Sequence, residues 1–243
     1  MFVDVHSHVL PSGDDGARTI TDGLELCRGA RERGTGVLYA TPHVWPHLVL
    51  EPEREDEIRA AHGEMAASAT EFGLDLQLGY ELTPAPALLD EDPARYRLGD
   101  LDAVLVELPF HEPLGLAEAV AEHIEAAGLV PVIAHPERAE VFMADPEAIS
   151  HRYLERGWLL QVNSTSILGY HGPEREATAW LLLDRGLASL VASDGHRPAR
   201  PPFLDDAYDL VAGRCGVEFA DSLFAGRALE SVRGDGVDLA QRR

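Results

Sequence analysis

Two histidines separated by one residue, His6 and His8, come at the end of an apolar run that opens the chain, Phe2-Val3-Asp4-Val5. If that run is a buried strand, alternate side chains share a face, so both imidazoles leave its end on the same side. The pair reads either as surface polar residues at the mouth of a strand or as part of a metal site, and a short histidine motif does not decide between them. The residues at the ends of the other apolar runs decide it. There stand Asp14-Asp15, Thr41-Pro42-His43, Tyr80-Glu81, Glu107, His135-Pro136-Glu137-Arg138, Asn163-Ser164 and Ser193-Asp194-Gly195-His196. A lone His or Glu in such a place is commonly a solvated loop residue. Several converging in one cleft would suffer heavy repulsion and desolvation unless cations were bound. Imidazoles and carboxylates without thiolate suit a catalytic site for divalent Mn, Fe or Zn, with ligands enough for two or three ions.

The elements that must position these residues are short strands alternating with amphipathic helices. The runs Val3–Val5, Val37–Ala40, Leu74–Gly79, Ala103–Val106, Val130–Ala134, Trp158–Val162 and Ala188–Ala192 are rich in Val and Leu, as parallel strands covered on both faces should be. Helical stretches Thr19–Arg33, Glu53–Phe72, Leu114–Ala127, Asp145–Arg156 and Pro173–Arg185 each end at a glycine placed for a left-handed cap. Phe203–Arg214 and Val217–Val232 also read as helices, and the polar tail from about residue 233 to 243 is expected to fray. The order is that of βα units, and seven strands predict a closed or nearly closed α/β barrel with its chemistry at the carboxyl ends of the strands. With no linker-like stretch and no internal repeat, residues 1–243 are expected to form one domain. The irregular insertion Thr83–Arg97 is a candidate lid.

Formal charge is −22, which argues against nucleic-acid or anionic-membrane partners, since those need clustered Lys and Arg. An anionic substrate must then be attracted locally, and bound cations are the obvious means. Two cysteines, Cys27 and Cys215, are too few for a disulfide framework. Their scarcity, the absence of a leader pattern after Met1 and the absence of a long apolar stretch lead us to expect a soluble cytoplasmic protein.

Taken in order, His6-Ser7-His8, Asp14-Asp15-Gly16-Ala17, Ala40-Thr41-Pro42-His43, Glu81, Glu107, His135-Pro136-Glu137-Arg138, Gln161-Val162-Asn163 with Leu168-Gly169, and Ala192-Ser193-Asp194-Gly195-His196 resemble the polymerase-and-histidinol-phosphatase (PHP) superfamily. Within it they are most similar to the bacterial tyrosine-protein phosphatases of capsule and exopolysaccharide clusters, the CpsB/CapC type. The likeness runs from Phe2 to about Val232. It implies a distorted (βα)7 barrel of the PHP, TIM-like type holding three divalent ions, commonly Mn. Carried onto matching positions, it puts one ion on His6, His8, Glu81 and Asp194. A second lies on Glu81, Glu107 and His135, and a third on Asp15, His43 and His196, Asp15 being preferred to Asp14. Arg138 is the implied substrate-binding and catalytic arginine, with a second in Arg197-Pro198-Ala199-Arg200-Pro201-Pro202-Phe203, where Arg200 is favoured over Arg197 because it directly precedes the prolines.

The implied reaction is hydrolysis of phosphotyrosine by a metal-activated water, the implied partner the tail of a membrane-associated bacterial tyrosine autokinase controlling polysaccharide export. Competing readings are a small-molecule phosphoesterase acting on histidinol phosphate, a nuclease, and a catalytically silent metal-binding regulator. Intact ligands with Arg138 disfavour the last, and acidity disfavours the nuclease. The string Cys27-Arg28-Gly29-Ala30-Arg31-Glu32-Arg33 matches the Cys-x5-Arg of thiol phosphatases, but it falls mid-helix on an apolar face and is expected to pack in the core. Trp45 and Tyr170 are candidate walls for a substrate ring, and His111 and His171 candidate secondary contacts. His62, His123 and His151 are expected to be helix-surface or packing residues.

Overall fold

Runs of Val and Leu too short for a helix, alternating with glycine-ended helices, become parallel strands around a common axis. In the computed structural model, which describes residues 1–232, the elements in chain order are β1 (Phe2–Ser7), α1 (Ile20–Glu32), β2 (Thr35–Ala40), β3 (His43–Val44), α2 (Pro52–Glu71), β4 (Asp75–Leu78), β5 (Glu81–Leu82) and β6 (Ala103–Glu107). Next come α3 (Gly115–Ala126), β7 (Val130–Ala134), α4 (Glu140–Ala144), α5 (Pro146–Glu155), β8 (Leu159–Asn163), α6 (Ser164–Ile167), α7 (Pro173–Asp184), β9 (Leu190–Ala192), α8 (Asp205–Cys215) and α9 (Val217–Phe224). The tail expected from about residue 233 lies outside the described residues.

All strand pairs are parallel, in the orders β1-β2-β4 and β3-β5-β6-β7-β8-β9. β3 resumes the line of β2 after Thr41-Pro42, and β5 that of β4 after Gly79-Tyr80. Pairing continues across both breaks, because Gly79 N donates to Ala40 O (2.9 Å) and Glu81 N to Pro42 O (3.2 Å). The ring closes where Ser7 faces Gly195, with Asp194 N on His6 O (2.9 Å) and His8 N on Gly195 O (2.7 Å). The seven expected strands are thus present in a distorted barrel. Both interruptions have local causes. Pro42 has no N–H to give a ladder, and a side chain at Gly79 would meet Leu98 Cδ2 at 2.6 Å.

Alternation sorts the strands' side chains into two cores. Val5, Tyr39, Leu105, Val132, Leu190 and Ala192 fill the barrel, and Leu229 and Val232 join them from the last turns. Leu38, Leu76, Val104, Ile133, Leu160 and Val191 face outward against the helices. Thr19 caps α1 by accepting from Asp22 N (3.1 Å), and α1 buries Gly23, Leu26, Cys27 and Ala30. Cys27 is fully buried there, and burial pushes its thiol up to about 12, so it is a packing residue as expected.

Two expectations are corrected. The helix predicted over Val217–Val232 ends at Phe224. Gly226, at φ +66°, turns the chain past Val3, and Arg227–Val232 continues as a 3₁₀ turn whose Val232 O accepts from Asp102 N (2.7 Å). The insertion Thr83–Arg97 is not a lid. It forms two 3₁₀ turns, Pro86–Asp90 and Pro93–Tyr96, that bury Leu88 and Tyr96 on the flank of the barrel. Arg95 ties it to Glu55 of α2 (2.6 Å), and His123 of α3 reaches Glu91 O (2.8 Å).

Helix α1 packs closest at Gly23, where an added Cβ would lie 2.1 Å from Val9 O and 2.6 Å from Met65 Cε. In an open helix Gly→Ala stabilises by about 1 kcal/mol. Here overpacking reverses the sign, and Gly23→Ala should lower stability by about 1–3 kcal/mol, read from the denaturant midpoint; a raised midpoint would contradict the packing.

Candidate active site

At the carboxyl end of the barrel four groups from three distant strand ends aim at one another. His6 Nε2 and His8 Nε2 stand 3.2 Å apart, both within 3.2 Å of Glu81 Oε2 and within 3.6 Å of Asp194 Oδ1. His43 Nδ1 approaches the same Glu81 oxygen at 3.0 Å. These side chains are almost wholly buried, yet Glu81 Oε2 and His43 Nδ1 form no hydrogen bond of proper geometry. Three imidazole nitrogens around one unpartnered carboxylate oxygen is poor hydrogen bonding and good cation coordination. Groups able to hold a divalent ion are His6, His8 and Glu81; His43, Glu81 and Glu107; and His8, His43 and His196.

Outer contacts set the aim of the rings. His6 Nδ1 meets Gln161 Oε1 (3.0 Å), and Gln161 in turn donates to Asn163 Oδ1 (2.8 Å). A second partner of this kind fixes which ring nitrogen faces a metal. The Asp14 side chain is buried, its Oδ2 3.5 Å from His8 Nδ1 and accepting from His43 N (3.0 Å). Asp15 instead points its Oδ1 between His196 Nε2 (3.2 Å) and His43 Nε2 (3.7 Å) on the open side. Asp4 accepts from Ser193 N (3.0 Å), joining β1 to the Asp194 loop as an inner-strand brace. His135 Nε2 reaches the other Glu81 oxygen, Oε1, at 3.0 Å, and Glu107 is bound by the Thr83 hydroxyl. Among the described residues, the non-glycine positions with positive φ are His135 (32°) and Asp194 (52°). Backbone strain of this kind concentrates at functional sites.

Above the floor is a cavity of about 190 Å³ lined by Asp15, His43, Trp45, Glu107, Phe110, His135, Arg138, Asp194, His196 and Arg200. Arg138 donates to Asp194 Oδ2 (2.8 Å), as does Asn163 Nδ2 (2.8 Å). Arg200 contacts His196 and lies 3.7 Å from Asp194 Oδ1. Arg197 is turned away to donate to Gly16 O (3.1 Å), bracing the Asp14–Ala17 loop. Glu137 is fully buried and accepts from Asn163 N (3.1 Å) and Ser166 (2.7 Å), which ties the Arg138 turn to β8 and α6. Tyr170 is exposed and outside the cavity lining. His171 bonds Thr165 (2.8 Å), and His111 pairs with Glu140 (2.8 Å). Phe110 and Thr83 carry no motif that marks them as site residues; their only signal is a position just beyond the strand ends of Glu107 and Glu81.

Burial works against charge throughout the floor. It would raise Glu81, but His6 and His43 hold that carboxyl well below its usual range; it would raise Asp194, but His6 and His8 lower it likewise. In return Glu81 and Asp194 raise His6 against its burial, and Asp14, Asp194 and Glu81 raise His8 further. Burial, then the charge of Glu81, pushes Glu107 up to about 8, while burial pushes His135 and His196 down to about 4. A raised group binds its proton more tightly when folded, so its contribution is complete below the unfolded value and lost as pH rises through the folded one. Glu107 therefore withdraws stability from 4.5 up to about 8, and His6 and His8 do so above 6.5. The lowered groups make their changes below 6.5. The denaturation midpoint of chelator-treated protein should fall between pH 6.5 and 8, and a flat or rising midpoint would contradict this charge arrangement.

A family profile described as capsular polysaccharide synthesis, CpsB/CapC, matches residues 2–233. Tyrosine-protein phosphatase YwqE of Bacillus subtilis is 30% identical over 200 residues, 80% of this chain and 77% of that protein. Tyrosine-protein phosphatase CpsB of Streptococcus pneumoniae is 26% identical over 233 residues, 92% of this chain and 95% of that protein. A crystal structure from a pair described as YwqE and CpsB, unique metal-dependent tyrosine phosphatases, superposes with a TM-score of 0.83 at 27% identity, covering 97% of this chain and 95% of that one. The phosphotriesterase homology protein of Escherichia coli, at 10% identity and a TM-score of 0.59, shares the fold alone. Matched along nearly all of its described length, the chain belongs to the CpsB/CapC family of capsular polysaccharide synthesis.

Proposed function

We propose that the protein is a metal-dependent protein-tyrosine phosphatase acting in capsular or exopolysaccharide synthesis. The observation that carries this reading is the floor, where His6, His8, Glu81 and Asp194 converge beneath a cavity that also presents Arg138 and Arg200. One cation would be held by His6, His8, Glu81 and Asp194, a second by Glu81, Glu107 and His135, and a third by Asp15, His43 and His196. The donor set of imidazole and carboxylate suits Mn, with Fe or Zn also accommodated. When bound, divalent cations supply Lewis acidity, bringing the pKa of water from about 15.7 towards 7 and offsetting charge on the phosphoryl group.

The chain's own part is positioning. Arg138 and Arg200 offer guanidinium donors to the phosphoryl oxygens and hold the group in line for transfer. Arg138 is kept in place by Asp194, and Asp194 by Asn163. Glu137 fixes the turn that carries Arg138 without entering the cavity. No side chain needs to become phosphorylated, and the buried Cys27 is remote from the chemistry. A phenol with pKa near 10 leaves more readily than an alcohol, so phosphotyrosine is a suitable ester for a site with no dedicated proton donor. The macromolecular substrate we propose is the phosphorylated tail of a membrane-associated tyrosine autokinase. Among the described residues no helix is long and apolar enough to cross a membrane.

Phosphotyrosine peptide should be hydrolysed by Mn-loaded protein faster than histidinol phosphate, and thorough chelation should abolish the turnover. Arg138→Ala should lose turnover by about 100-fold or more while retaining the wild-type metal content by elemental analysis. Activity that survives metal removal, or full turnover in the variant, would contradict the proposal.

A further inference from the structure

Phe110 is an apolar ring held at the mouth of a polar cavity. It is 36% exposed, while Leu108 and Leu114 on either side of it in sequence are buried anchors. Its carbonyl accepts from Glu140 N (2.9 Å), and His111 beside it pairs with Glu140 (2.8 Å), so the loop is pinned with the ring facing out. The ring lies 4.7 Å from the Arg138 guanidinium and 6.0 Å from the His135 ring. Trp45, the other aromatic of the lining apart from the histidines, stacks on both His43 (4.4 Å) and His47 (5.2 Å). Trp45 thus stands beside the imidazole that meets Glu81 Oε2, and Phe110 beside the one that meets Oε1. Trp45 is half-buried against two imidazoles. Phe110 keeps open surface within reach of whatever Arg138 holds.

We infer that Phe110 is the specificity-determining residue for an aromatic leaving group, receiving the ring of an aryl phosphate while Arg138 holds its phosphoryl oxygens. The inference rests on the phosphatase reading and adds to it the residue that selects the ester. A phosphoryl group bound by Arg138 places the first atoms of the ester at the level of the Phe110 ring. A planar substituent can pack there edge to face or offset-stacked, whereas a short aliphatic or acyl substituent gains no ring contact. An aromatic pair of this kind is worth a factor of roughly 3 to 10 in binding.

The same ring also lies against Arg138, and a role confined to bracing that arginine would affect every phosphate ester equally. The two roles separate with a phosphotyrosine peptide and acetyl phosphate, which has a good leaving group and no ring. In Mn-loaded enzyme, Phe110→Ala and Phe110→Leu should each raise KM for the peptide by roughly 3- to 10-fold, with kcat nearly unchanged and kcat/KM for acetyl phosphate preserved. Phe110→Trp should restore the peptide KM. Equal losses on both substrates would overturn the inference in favour of a bracing role and leave the phosphatase reading standing. Unchanged KM in both variants would also overturn it. Wild-type enzyme inactive on both substrates would overturn the phosphatase reading and this inference with it.

Discussion

The structure depends on a carboxylate, Glu81, held out of water among imidazoles. Its Oε2 faces His6, His8 and His43 and its Oε1 faces His135. A buried charge without good hydrogen bonds costs several kcal/mol, and leaving one partner unpaired costs more. Three imidazoles crowded around Oε2 in geometry too poor for hydrogen bonding would be a liability in a purely structural core. The same arrangement is favourable once positive charge sits among the nitrogen and oxygen lone pairs, which is why the floor makes sense as a cation site.

The backbone is shaped to that end. Two strand lines are interrupted immediately before site residues, at Thr41-Pro42 ahead of His43 and at Gly79-Tyr80 ahead of Glu81. Each break lets the next residue turn into the barrel mouth while its backbone partners keep the ring intact. His135 and Asp194 adopt positive φ at two further strand ends, a region that favours glycine and that Asp and His enter more often than other side chains. Closure of the barrel is made by the residues of the site themselves, through Asp194 N on His6 O and His8 N on Gly195 O. Fold and site are therefore coupled: the hydrogen bonds that finish the barrel also set the separation of His6, His8 and Asp194.

Much of this is legible in residue order because the strands are apolar on both faces and each ends in a polar residue of distinct chemistry. Val130–Ala134 with His135 at its end, and Leu190–Ala192 with Ser193-Asp194, need no tertiary information to be placed. The features that residue order hides depend on contacts between distant segments. The resemblance favours Asp15 over Asp14, but the physical reason lies in a distant contact, since Asp14 Oδ2 is taken by His43 N. Arg200 is favoured over Arg197 by its place before the prolines, and the reason is a tight turn, with Arg200 N on Arg197 O (2.8 Å), that sends one to Gly16 and the other into the cavity. The Thr83–Arg97 segment reads as free because of its prolines, yet Arg95 and Tyr96 anchor it to the flank. Phe110 is hidden for the opposite reason, since one exposed aromatic ring in a loop carries no pattern.

Anomalous scattering from crystals of the Mn-loaded protein would show whether the floor is a cation site. A strong peak is expected at the point bounded by His6 Nε2, His8 Nε2, Glu81 and Asp194, with Gln161 still on His6 Nδ1. No peak at that point, with the imidazoles and carboxylates instead rotated into paired hydrogen bonds, would contradict it.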